Sequence, residues 1–287
     1  MPPRLADLVA DELAIKVDPR VTALAKAIAH RHGAASRAVL FYGSCLRQQQ
    51  LDGLMLDFYL IVSDYRLAYD KAWLARANAL IPPNVFPFEH QGLAAKYAVL
   101  SEADFARLNG PETRNVSVWA RFAQPSRLVW VADEAARESA VAAVARAAPT
   151  LLAAAGKIAG EAPLDWWRRA FALTYSAELR AERKNRAGSV VDADLDRYAN
   201  FLPAAASEIS SFSSSGGWGR RRAEGKLLSV ARLAKASLTY AGGAEYIVWK
   251  INRHAGTDFA LKPWQKRHPL LGAISLLPKL LRTGAVH

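Results

Sequence analysis

Apolar positions at the start of the chain recur in steps of three and four. Over residues 1–35, Leu5, Leu8, Val9 and Leu13, then Val21, Leu24, Ala25 and Ile28, mark a helical face. From Arg37 to Tyr42 and from Met55 to Val62 the rhythm changes to short continuous apolar runs, which predict two buried strands. A helix is expected over Tyr69 to Leu80, stopped by Pro82-Pro83 because proline has no N–H to continue the ladder. Ala94 to Leu100 reads as a third strand, Ser101 as the N-cap of a helix over Glu102–Leu108, and Arg127 to Val131 as a fourth short strand. Strands and helices alternating in this way predict a sheet domain of the α/β or α+β class over residues 1–132.

From Asp133 the pattern turns helical. Alanine-rich stretches and then Leu164–Arg183 keep a helical period, and Ser210 to Gly219 reads as a flexible loop. A helical domain over 133–260 and a basic, apolar C-terminal segment over 261–287 complete the expected order, with no internal repeat. At 287 residues and 52% hydrophobic content the chain suffices for one large domain or two modest ones.

Charge sharpens this outline. The formal net charge is +12, and residues 218–287 hold 13 Lys and Arg against the three acids Glu224, Glu245 and Asp258. An anionic partner for this part is expected: nucleic acid, anionic lipid or a phosphorylated substrate. The run Pro269 to Val286 is apolar but broken by Pro278, Lys279 and Arg282, and it falls short of the roughly 20 apolar residues that a membrane span needs. With Lys262, Trp264, Lys266, Arg267 and His268 upstream, it suits either contact with a membrane interface or a core helix. Met1-Pro2-Pro3-Arg4 leads into a polar amphipathic stretch rather than a secretory signal, so a cytoplasmic location is expected.

Several chemistries are disfavoured. One cysteine, Cys45, excludes an intrachain disulfide framework and is expected to be a small buried residue. The six histidines show no zinc-ligand spacing, and neither a Gly-x-Ser-x-Gly elbow nor a Gly-x-Gly-x-x-Gly fingerprint is present.

The most informative stretch is Phe41-Tyr42-Gly43-Ser44 followed by Leu56-Asp57-Phe58-Tyr59. Glycine lets a backbone approach a triphosphate closely, the Ser44 hydroxyl and nearby N–H groups suit phosphate oxygens, and a carboxylate inside an apolar strand is seldom left without work. Nucleotidyltransferases of the polymerase-β type use this layout, with Asp57 as a Mg²⁺ ligand. The plainer alternative is an ordinary Gly-Ser turn. A second strand carboxylate two residues on is missing, because Tyr59 stands there; Asp52, in an Asp-Gly pair, is the less certain second ligand, or an ordinary turn residue.

Several stretches align in order with one family. Tyr42-Gly43-Ser44, Met55-Leu56-Asp57-Phe58, Lys96-Tyr97-Ala98-Val99-Leu100-Ser101, Arg121 to Pro125 and Leu173-Thr174-Tyr175-Ser176-Ala177-Glu178-Leu179-Arg180 resemble motifs of the mitochondrial-type CDP-diacylglycerol synthases, or phosphatidate cytidylyltransferases, which have bacterial relatives. The resemblance covers roughly residues 37–190. It departs from the family at Cys45, where a glycine is usual, at Ala98, at Ala177-Glu178 in place of Gly-Asp, and at Ala68-Tyr69 in place of Trp-His.

The resemblance implies an α+β fold in which a polymerase-β-type nucleotidyltransferase domain with a mixed sheet is followed by a helical domain and basic C-terminal helices. It implies that CTP and phosphatidic acid react, with Mg²⁺, to CDP-diacylglycerol and pyrophosphate, in a protein peripheral on the inner face of a membrane. Asp57 and Asp52 would hold metal, and Tyr42, Gly43 and Ser44 would cradle the nucleotide. Lys96, Arg121 and Arg180 would neutralise phosphate, the plainer alternatives being an edge-strand surface lysine and arginines in structural ion pairs with Glu178 or Glu182. Competing expectations are a nucleotidyltransferase for another phosphorylated lipid or small molecule, and a noncatalytic nucleotide- or nucleic-acid-binding relative. Nucleic acid is disfavoured by the lack of helix-turn-helix or zinc spacing.

Overall fold

The computed structural model describes residues 3–47, 51, 53–178, 190–209 and 217–239. It is an α+β protein built on one five-stranded mixed sheet. Helices α1 (Leu5–Ala14) and α2 (Pro19–Arg31) replace the single helical region expected at the start. The break has a local cause: Asp18 accepts a hydrogen bond from the Arg20 N–H at 2.8 Å and Pro19 opens α2, so the chain caps and restarts.

β1 (Ser36–Tyr42) pairs antiparallel with β2 (Met55–Val62), both close to expectation. The helix expected over Tyr69 to Leu80 is present as α4 (Ala72–Leu80), starting three residues later, and a short α3 (Tyr65–Ala68) that the pattern did not predict precedes it, with Tyr69 extended between them. The next strand, β3 (Asn84–His90), was not anticipated. Pro87 in its middle argues against a strand by pattern, yet β3 is the outer strand of the sheet, where proline is tolerated. A two-residue turn at Gln91 and Gly92, both at positive φ, carries it into β4 (Leu93–Ser101). Ser101 caps α5 (Glu102–Asn109) as expected, accepting from the Asp104 N–H at 3.2 Å. The short α6 (Trp119–Phe122) leads to β5 (Ser126–Val131).

The strand order is β3-β4-β2-β1-β5, with β2 and β4 parallel and the other pairs antiparallel. β4 is therefore an inner strand. Side chains alternate across the sheet. Val39, Phe41, Phe58, Leu60, Tyr97 and Val99 point to the face covered by α2, α3 and α4. Leu40, Tyr59, Ile61, Ala98 and Leu100 point to the other face, which is covered by helices from both halves of the chain.

Those helices are α1, α5 and α6 from the first half and, from the second, α7 (Glu134–Ala145), α8 (Ala147–Ala155), α9 (Pro163–Ala177), α10 (Leu195–Ser207) and α11 (Trp218–Thr239). One apolar core runs from Leu5 through this sheet face to Trp167, Tyr198 and Ala205. α9 ends before the expected Arg183, and residues 179–189 lie outside the described part. Of the loop foreseen over Ser210–Gly219, residues 210–216 lie outside the described part, and Trp218 already opens α11. The C-terminal segment 261–287 lies wholly outside it. Among the described residues no helix is long and apolar enough to cross a membrane.

α11 lies close on α9. A Cβ at Gly225 would sit 2.1 Å from the Ala177 carbonyl oxygen, so only glycine admits this approach. Arg221, buried between the Trp119 and Trp218 rings, donates to the Thr113 and Arg114 carbonyls at 3.2 and 3.1 Å and anchors the start of the helix.

A buried ion pair ties α10 to α1. Arg197 bonds Glu12 through Nε and Nη2, donates to the Ala123 carbonyl at 3.1 Å, and lies over the Tyr198 and Phe201 rings; the two side chains are 8% and 9% exposed. Removing one partner strands a buried charge. Arg197→Met is therefore expected to cost roughly 3–5 kcal/mol in urea unfolding; a loss below about 1 kcal/mol would show the pair to be dispensable.

Candidate active site

The register of three strands assembles the site. Tyr42, the last residue of β1, lies opposite Asp57 on β2, and Asp57 lies opposite Lys96 on β4. Tyr42, Asp57, Tyr59 and Lys96 thus share the sheet face that meets the helices, at the end where β1 finishes and β2 and β4 begin. Lys96 Nζ stands 2.9 Å from Asp57 Oδ1, with both side chains about three-quarters covered. This corrects the alternative of an edge-strand surface lysine: β4 is interior and Lys96 is committed to the carboxylate.

Gly43 follows β1 at φ +95°, a conformation that L side chains rarely adopt. A Cβ there would lie 3.3 Å from Asp57 Oδ2, so the missing side chain leaves space directly over the second carboxylate oxygen. Ser44 comes next and opens a short 3₁₀ turn, Ser44–Arg47. Cys45 is buried with its thiol 3.6 Å from the Met55 carbonyl. Burial first, and then Asp57, push its pKa up, which makes it a packing residue rather than a reactive thiol.

Arg121 on α6 enters from the helical side. It bonds the Ser117 carbonyl through Nη1 and lies 3.6 Å from Glu178, the residue that follows α9. The structural-pair alternative for Arg121 thus has its partner in place. Burial works against the Arg121 charge, but the Glu178 carboxylate, and beyond it Asp57, hold its pKa above the usual arginine value. The Tyr42 phenol is pushed well up, by burial first and then by Asp57 and Tyr59, so it stays neutral. Burial pushes Tyr59 up as well. Asp52 and Arg180 lie outside the described residues.

Two cations were missed by sequence reasoning, Arg232 and Lys235, one turn apart on α11. Arg232 Nε donates to the Pro82 carbonyl at 2.8 Å and Nη1 to the Ser117 hydroxyl at 2.9 Å. Lys235, buried, donates to the Ile81 carbonyl and, at 2.9 Å, to that of Pro83. The basic excess of residues 218–287 was the only sequence signal for them, and it did not single out positions. No protein-family model and no curated protein matches the chain.

The residues present accommodate Mg²⁺ only sparingly. Among the described residues no group of three His, Cys, Asp or Glu forms a metal cluster, and Asp57 is the one carboxylate at the turn. Yet Asp57 Oδ1 is buried without an aligned hydrogen bond, and Oδ2 faces the Gly43 space. Mg²⁺ is commonly held by one or two carboxylates together with substrate phosphates, which this arrangement permits.

Burial, and then Arg232, lower the pKa of Lys235 from the ordinary 10.5 to about 7. Between these values the unfolded chain carries a proton that the folded chain has lost, so stability rises with pH from about 7 toward 10.5 and is lost as pH falls through 7. Lys235→Met removes this contribution. Urea unfolding at pH 6.5, 7.5 and 8.5 is expected to show a shallower rise for the variant than for the wild type; parallel curves would mean that Lys235 does not titrate there.

Proposed function

We propose that this chain is a metal-assisted nucleotidyltransferase with a polymerase-β-type catalytic domain, transferring a cytidylyl group from CTP to the phosphate of phosphatidic acid. The observation that carries the reading is the Asp57 carboxylate, set by strand register between the open Gly43 turn and the Lys96 ammonium. The CTP and lipid assignment rests on the resemblance of the Tyr42-Gly43-Ser44, Asp57, Lys96 and Arg121 stretches to the phosphatidate cytidylyltransferases. The product would be CDP-diacylglycerol, formed by a protein working peripherally at the inner face of a membrane.

In the reaction an acceptor phosphate oxygen attacks the α-phosphorus in line. The new P–O bond forms as the bond to the β-phosphate bridging oxygen breaks, and pyrophosphate departs with that electron pair. The acceptor is already anionic, so no strong base is needed. The Gly43 backbone and Ser44 hydroxyl offer close-range donors to the triphosphate. Lys96 compensates phosphate charge in a partly desolvated site, where a fixed cation acts more strongly than in water. Asp57 would hold Mg²⁺, with Asp52 the candidate second ligand, and the ion would neutralise charge on the phosphoryl oxygens. Tyr42, kept neutral, packs against Tyr59 with ring centroids 5.2 Å apart and walls the turn.

A second reading also has an observation behind it. The closed Asp57–Lys96 pair, with Asp57 the one carboxylate at the turn among the described residues, suits a protein that binds nucleotide without turning it over. Labelled CTP incubated with phosphatidic acid vesicles and Mg²⁺ separates the two. The wild type is expected to yield lipid-extractable CDP-diacylglycerol, and Asp57→Asn to yield at least about 10²-fold less while keeping its circular dichroism. Nucleotide binding without product from folded wild type would favour the noncatalytic reading, and undiminished turnover by Asp57→Asn would remove the carboxylate from the mechanism.

A further inference from the structure

Two guanidinium groups converge on Ser117. Arg121, from the same short helix region, bonds its carbonyl; Arg232, from α11, reaches its hydroxyl at 2.9 Å. Ser117 is itself buried, whereas both arginines are half-buried. The two arginines differ in their company. Arg121 has Glu178 at 3.6 Å. Arg232 bonds only neutral oxygens, the Pro82 carbonyl and the Ser117 hydroxyl, and among the described residues no carboxylate pairs with it.

Such an arrangement is unfavourable for the protein alone. A half-buried cation that bonds only neutral oxygens, with a like charge beside it, is costly. The Arg232 pKa is lowered accordingly, by burial first, with Arg121 adding to the effect and the Glu178 carboxylate opposing it. A planar guanidinium fork is well matched to a phosphate group, and two forks suit the dianion of a phosphomonoester better than the monoanion of a diester.

The location is informative too. Phe122, next to Arg121 on α6, packs against Tyr42 and Tyr59 with ring centroids 6.0 and 5.2 Å apart, and Tyr59 lies two residues along β2 from Asp57 on the same face, about 7 Å away by strand geometry. A phosphate held by the arginines would therefore lie beside the turn where the nucleotide is expected. The position of Arg232 is set by packing: the Gly225 approach to Ala177 seats α11 on α9, and the Pro82 carbonyl holds Nε.

We propose that Arg121 and Arg232 together form a phosphomonoester subsite, and that Arg232 of α11 is a binding residue for the acceptor phosphate. The proposal rests on the nucleotidyl-transfer reading for the name acceptor, but the anion site itself does not. α11 is then part of the active site rather than a buttress, and the subsite selects a terminal phosphate over a phosphodiester.

The test is calorimetric titration of the full chain with submicellar dihexanoyl phosphatidic acid, dihexanoyl phosphatidylglycerol and inorganic phosphate. Wild type is expected to bind the phosphatidic acid at least tenfold more tightly than the phosphodiester. Arg232→Gln should lose at least tenfold in affinity for phosphatidic acid while its CTP affinity stays within threefold. Ser117→Ala, a milder change that removes only the anchor, should lose a smaller factor and covers the case in which Arg232→Gln does not fold. Arg232-dependent binding of inorganic phosphate at equal affinity would support the subsite and assign it to free phosphate instead of a lipid headgroup. Equal affinity of folded Arg232→Gln, or of Ser117→Ala where Arg232→Gln does not fold, would overturn the proposal, as would equal affinity of the wild type for the phosphodiester. Absence of CTP turnover with Arg232-dependent phosphate binding intact would count against the nucleotidyl-transfer reading alone.

Discussion

The ion pair between Asp57 and Lys96 is the constraint around which the site is organised. The two residues are far apart in sequence and meet because β2 and β4 run parallel in a register that sets them side by side. A slip of one residue would turn both side chains to the opposite face. That register is protected on both sides of the sheet: Phe58 and Tyr97 are buried under α2, α3 and α4, while Tyr59 and Ala98 are buried under the helical half. The apolar packing of neighbouring residues thus holds two charges in place that would contribute little to stability by themselves.

Around this pair the chain concentrates positive charge. Lys96, Arg121, Arg232 and Lys235 approach the same face or its border, against Asp57 and Glu178. Carbonyl groups of Ile81, Pro82, Pro83 and Ser117 take up donors from three of the four cations, which satisfies hydrogen bonds without neutralising charge. Among the described residues the result is a site with polar partners supplied and anionic partners in deficit. The tight seating of α11 at Gly225 is what brings two of these cations to the sheet.

What was legible in the sequence follows the range of the forces involved. β1, β2 and the Ser101 cap could be read because apolar runs and capping side chains act locally. Asp57 stood out because a carboxylate inside an apolar strand demands a partner. β3 was hidden by Pro87, whose tolerance depends on an edge position that only the assembled sheet defines. The later start of α4 was hidden because Tyr69 is extended, burying its ring and bonding Asn78 at 3.3 Å. Arg232 and Lys235 were invisible for a related reason. Their partners lie in residues 81–83 and at Ser117, and no periodicity links such distant positions.

The central claim is that the Gly43 turn, Asp57 and Lys96 together receive a nucleoside triphosphate. A crystal structure of the chain with Mg²⁺ and a nonhydrolysable CTP analogue tests it most directly. The account predicts triphosphate density against Gly43 and Ser44, a metal on Asp57, and Lys96 turned toward phosphate oxygen. A nucleotide bound elsewhere, with the Asp57–Lys96 pair intact and no metal at the carboxylate, would contradict it.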